Sequence, residues 1–325
     1  MLLVAAGLVV RAARHDVLLA RQSLLEVADN PARLSASEGR AAMRETIEGA
    51  LARLDRAHSR VDGSPSLKLV AQLPPLGSQH DGLVHLIDDS RAAALAGRDL
   101  VRTLESVSAG SRISGGHVPL GGLQQLERAT RQAGTRIGGL VSRHRGLWGP
   151  LGNARRQFDE TARSTAARLA GGADALGVAR TFMGADGDRR YLVALQNNAE
   201  MRDQGMVLSY ALAGFSAGVL DLQVGGSVAN LNLDSPADTP IPPGTQEVFG
   251  SILPTQIWQS VNATADFPFS ARAMTDMFAR ATDSSVDGVI AIDVPGLAAL
   301  LRVVGPIEVE GLSEPVTDKN VGRIV

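Results

Sequence analysis

The chain has 325 residues, 32 basic and 34 acidic side chains and 44% hydrophobic residues, which supports one or two folded domains and excludes a disordered polymer. Its net charge of −2 lacks the basic footprint of a nucleic-acid binder, and no nucleic-acid partner is expected. The absence of cysteine excludes thiol nucleophiles, disulfides and cysteine-bearing metal sites.

The charge is unevenly placed. Residues 1–185 carry 24 basic and 17 acidic groups, whereas residues 186–325 carry 8 and 17. All six histidines (His15, His58, His80, His85, His117 and His144) fall in the first region. Chemistry in the second region would therefore rest on carboxylates, arginines and a metal.

The chain opens with an unbroken apolar run, Met1 to Val10, followed by Arg11 and Arg14. At about 1.5 Å per residue such a run covers about half of a bilayer core, so it reads as the start of an amphipathic helix or as the tail of a membrane anchor. Met43, Ile47, Leu51 and Leu54 then recur at steps of four and three, which predicts a helix over 36–60. The same periodicity predicts helices over about 81–107 and 123–141, and a fourth covers about 154–168. Glycine- and proline-rich segments at 63–77 and 110–122 read as connectors, giving a helical bundle or stalk over 31–185. No histidine forms the i, i+4 pair of a helical zinc site, and no metal site is expected.

From Arg189 the pattern changes. Tyr191–Leu195 reads as a strand ending in Gln196-Asn197-Asn198, and Met206–Phe215 with Val219–Val224 as a β-hairpin. Asp266 is placed to cap a helix with Pro268 in its first turn. Val286–Ile292, almost wholly apolar, has the pattern of a strand covered on both faces. Asp293 is placed to cap the next helix, after which Ile307 and Val309 alternate with glutamates as a last strand would. This order describes a layered, mixed-sheet α/β domain after an all-α region. Gly214-Phe215-Ser216-Ala217-Gly218 fits the nucleophile-elbow pattern on paper, but no histidine follows it and it falls in the expected hairpin turn.

The segment YLVALQNNAEMRDQGMVLSY, residues 191–210, together with residues 267–309, resembles the bacterial envelope family called domain of unknown function 4012. The resemblance implies a single-pass protein at the cell membrane with its bulk extracytoplasmic. Met1–Val10 would then be the end of a transmembrane helix, residues 1–30 an anchor remnant with its juxtamembrane helix, and 186–325 an α/β domain incomplete at its C-terminus. The last stretch further resembles the LytR-CpsA-Psr fold, whose enzymes transfer glycopolymers from polyprenyl-pyrophosphate carriers with arginines on the pyrophosphate and an acid on Mg2+. By position Arg202 matches the first arginine of that fold, with Asp203 adjoining it at a different spacing and Glu200 nearby. The second arginine-aspartate pair of the fold is replaced by Gly225-Gly226-Ser227-Val228.

Candidate ligand-binding residues are therefore Asn197, Asn198, Glu200, Arg202 and Asp203. The expected role is a non-catalytic binding or scaffold module for envelope glycopolymer or a polyprenyl-linked precursor, with no established cofactor. The alternative is a Mg2+-dependent glycopolymer phosphotransferase of LytR-CpsA-Psr type.

Overall fold

The protein is described here by a computed structural model covering residues 2–74, 76–110, 117–141, 146–198, 205–309 and 312–324. Two compact units are present: Met1–Ser114 with Val118–Arg180, and Gly115–His117 with Thr181–Val325.

The first unit is helical. Its elements are α1 (Leu2–Asp29), α2 (Ser37–Asp62), α3 (Pro65–Ala71), α4 (Leu76–Gly110), α5 (Leu120–Gly139) and most of α6 (Gly149–Phe182). The 36–60 helix forms as the spacing predicts. Its buried stripe is Met43, Ile47, Ala50, Leu54, Ala57 and Val61, an unbroken alternation of four and three. On α1, Ala6, Ala13 and Ala20 are buried at steps of seven. Facing alanines let two helices approach closely, with the longer Ile47, Leu54 and Val61 filling the adjoining layers. Ala13→Leu is expected to destabilise this unit by about 1–3 kcal/mol through overpacking, read as a lowered urea midpoint.

Helix α4 belongs to both halves of the bundle. Ile87, Ala94 and Val101 face α1–α3, whereas Ala96 packs with Ala133 and Ile137 of α5 and Ala162 of α6. The 154–168 helix proves much longer than its apolar pattern predicts. It runs through Gly171 and Gly172, whose backbone stays helical. The 63–77 connector also contains α3, because Ser64 accepts from Leu67 N–H and Pro65 occupies the first helical position.

Arg155 is 3% exposed in this bundle. Its Nε donates to Asp159 Oδ1 at 2.9 Å, and its other nitrogens reach Asp89 and the carbonyl of Leu140. Burial pulls its pKa down, but the hydrogen bonds and charges of Asp159 and Asp89 outweigh that, so the guanidinium stays charged.

The second unit carries a four-stranded sheet in the order β3-β2-β1-β4, with β1 (Arg189–Asn197), β2 (Met206–Ser216), β3 (Val219–Ser227) and β4 (Gly288–Asp293). Strands β1, β2 and β3 are antiparallel neighbours, and β4 pairs with β1 in parallel. The β2–β3 hairpin turns at Ala217-Gly218, both at positive φ. A strand-to-helix elbow at Ser216 is thereby excluded.

One face of the sheet is covered by α8 (Phe267–Thr282), which follows a short α7 (Pro243–Phe249). Leu192, Ala194 and Leu212 meet Phe269, Ala273, Met274, Met277 and Phe278, with Trp258 and Val261 completing the core. Tyr210 lies edge-on to Phe278 at 5.8 Å.

Two strand expectations are corrected. Strand β4 pairs with β1 alone, at the edge of the sheet, and its six residues are half-buried and not fully covered. The alternation at Ile307–Val309 forms no strand either. Ile307 makes a single bridge to Val316 after helix α9 (Val294–Val304), and a short α10 (Val321–Ile324) follows.

Candidate functional site

The parallel pair β1–β4 gives the sheet one carboxyl end, where α/β sheets place ligands. Gln196 and Asp293 stand opposite each other in the register there. Helix α9 starts directly after β4, so its N-terminus lies at this end. Asp293 Oδ1 accepts from Gly296 N–H at 2.7 Å, the cap that the sequence predicts.

Asn198 fastens the same corner. Its Oδ1 accepts from Val294 N–H at 3.3 Å, and its Nδ2 donates to Asp293 Oδ2 at 3.2 Å. One side chain thus ties the end of β1 to both the cap and the first turn of α9. The backbone leaves this corner at Asn198 and is described again at Gly205. Glu200, Arg202 and Asp203 lie outside the described residues.

Gly205 closes the segment. Its φ is +110°, and a Cβ placed there would stand 2.4 Å from the Asn197 carbonyl oxygen. Gly205→Ala is therefore expected to cost about 1–3 kcal/mol from backbone strain alone, measurable as a drop in melting temperature. The carbonyl of Gly205 accepts from Asn262 Nδ2 at 2.7 Å, so the loop before α8 is drawn to the same place.

Two buried amides here were not singled out in the sequence. Gln196 is 5% exposed, and its Oε1 has no hydrogen-bond partner among the described residues. Asn262 is 2% exposed. Gln196 could have been found as the first member of the polar triplet closing β1. Asn262 sits in an irregular segment with no periodic signal.

At the opposite end of β1, Tyr191 stacks on Phe182 at 4.3 Å and donates its hydroxyl to the Phe182 carbonyl at 3.1 Å. Burial raises its pKa above the usual phenol value, and the nearby Asp287 carboxylate adds to the rise. Among the described residues no group of three metal-ligating side chains is found. His58 Nδ1 lies 2.8 Å from Asp88, and Nδ1 of the half-buried His80 lies 3.2 Å from Asp81.

Residues 186–325 match the family described as "Protein of unknown function (DUF4012)". The DUF4012 match covers the sheet, the Asn198–Asp293 corner and α9, and supports the DUF4012 resemblance of the second unit. No curated protein and no solved structure matches the chain. The further likeness to LytR-CpsA-Psr enzymes gains no support from these comparisons.

Proposed function

We propose that the chain is a non-catalytic binding module of the cell envelope that holds glycopolymer or its polyprenyl-linked precursor at the carboxyl end of β1–β4. The observation that carries this reading is the use made of the strand-end side chains. Asn198 and Asp293 occupy positions where α/β enzymes place reacting groups, yet their polar atoms are engaged with each other and with the N-terminus of α9. Together they fasten the end of β1, and Arg202, four residues further along the chain, carries a guanidinium suited to phosphate oxygens.

The reading also puts the chain at the cell membrane, with its bulk extracytoplasmic and α1 as the attaching element. Support comes from Val4 and Leu8, which are 68% and 62% exposed on the side of α1 away from the Ala6–Ala13 contact. No helix among the described residues is long and apolar enough to cross a membrane.

The test is a thermal titration of the full chain with a polyprenyl pyrophosphate. A rise in melting temperature that is lost in Arg202→Ala is expected. No rise at saturating ligand would refute the lipid-linked reading.

A further inference from the structure

The β2–β3 hairpin and the start of β1 border an open groove of about 440 Å³, on the sheet face that also carries α8. Its floor is a row across three strands: Arg190 on β1, Gly214 on β2 and Asp221 on β3 stand in register. Nothing in the fold requires glycine in the middle. Gly214 has ordinary strand φ, and a Cβ there would only reach normal contact, 3.7 Å from the Asp221 carbonyl oxygen. A glycine inside a strand without a conformational or packing reason marks a place where something else approaches the backbone.

The banks of the groove are polar and of mixed character. On one side Arg190 is half-buried, and its guanidinium has no hydrogen-bond or ion-pair partner among the described residues. Its backbone is held on both sides by Asp287, whose Oδ2 accepts from Arg190 N–H at 2.8 Å and whose own N–H donates to the Arg190 carbonyl at 2.7 Å. Asp287 Oδ1 also takes the Arg189 guanidinium at 3.0 Å, so this bank is fixed. On the other side Asp221 and Gln223 are joined at 2.9 Å and present a carboxylate and an amide to solvent. With strands about 4.8 Å apart, the two banks lie about 9.5 Å from each other across the glycine.

We infer that this groove is a carbohydrate subsite taking one pyranose or furanose ring over Gly214. A hydroxyl both donates and accepts, so a ring bearing several of them satisfies the Arg190 fork and the Asp221 carboxylate together. Three carboxylates (Asp188, Asp221 and Asp287) against Arg189 and Arg190 disfavour a polyanion, and the volume suits a mono- or disaccharide. The inference rests on the glycopolymer-binding reading and locates its sugar contact at the start of β1, the end opposite Asn198.

The test uses saturation-transfer NMR on the full chain with neutral disaccharides (lactose, maltose, mannobiose and arabinobiose), with dialanine as a zwitterionic control. Gly214→Val is the decisive variant, because valine suits a strand, its Cβ meets only ordinary contacts, and its methyls would occupy the groove floor. Saturation transfer to at least one disaccharide is expected, weakened by about tenfold or more in Gly214→Val and in Asp221→Ala, while the melting temperature of Gly214→Val is unchanged or higher. Equal transfer in wild type and Gly214→Val, transfer to dialanine alone, or no transfer to any disaccharide would each overturn the proposal. Arg202→Ala should leave sugar transfer intact, and Gly214→Val should leave the polyprenyl pyrophosphate shift intact, so the two readings fail separately.

Discussion

Arg155→Ala is expected to destabilise the helical unit by about 3–5 kcal/mol. The guanidinium is 3% exposed and serves Asp159, itself 6% exposed, together with Asp89 and the Leu140 carbonyl. Removing it leaves a buried carboxylate without its main counter-charge, a penalty larger than the net worth of the intact pair. Arg155→Met combined with Asp159→Leu should therefore recover most of the loss, since both buried charges are gone. Hydrogen-exchange mass spectrometry on peptides from each unit separates the outcomes. Lost protection in α5 and α6 with unchanged strands β1–β4 is expected. A single mutant as stable as wild type would show that water reaches the network.

In the α/β unit, Trp258→Ala is expected to cost about 3–5 kcal/mol, because the side chain is fully buried among Leu231, Val261 and the α8 residues. Trp258→Phe is expected to cost less than about 1.5 kcal/mol. The indole N–H has no acceptor among the described residues, so phenylalanine removes a buried donor while keeping most of the ring volume. The contrast is measured by urea unfolding and by exchange in peptides of β1 and α8. Equal costs for the two variants would mean that the indole N–H makes a bond of its own.

How much of this was legible in the sequence depends on the physics of each element. The 36–60 helix and both aspartate caps were readable because periodicity and capping are local, and the caps at Asp266 and Asp293 form as the residues dictate. The hairpin was readable from its bracketing glycines. Alanine was the weak point: Ala6, Ala13, Ala20, Ala50 and Ala57 are buried where α1 and α2 pack, yet alanine suits a surface as well as a seam. The extent of α6 was missed for a related reason, since Gly171-Gly172 reads as a break while packing of the long helix overrides propensity. Apolar content alone suggested that β4 was covered on both faces. Only the strand order reveals it as an edge.

The candidate corner shows the same division. Asn198 was singled out as a ligand contact, and its position at the strand end was legible, but its role was not. Both ends of its amide go to Asp293 and Val294, residues nearly a hundred positions away in the chain. Gln196 and Asn262 become visible only once the fold buries them. Gly214 carried a motif in the sequence that pointed to the wrong chemistry. Its missing side chain acquires meaning from its register with Arg190 and Asp221.

The most direct test of the central claim is to incubate the full chain with a polyprenyl-pyrophosphate-linked sugar, with and without Mg2+, and to measure binding and released product in the same samples. Saturable binding that Arg202→Ala weakens, with no carrier turnover at any Mg2+ concentration, is the expected result. Mg2+-dependent transfer of the sugar phosphate to water or to an added glycan hydroxyl, with release of polyprenyl phosphate and abolished in Arg202→Ala, would contradict the binding-module account and establish a phosphotransferase instead.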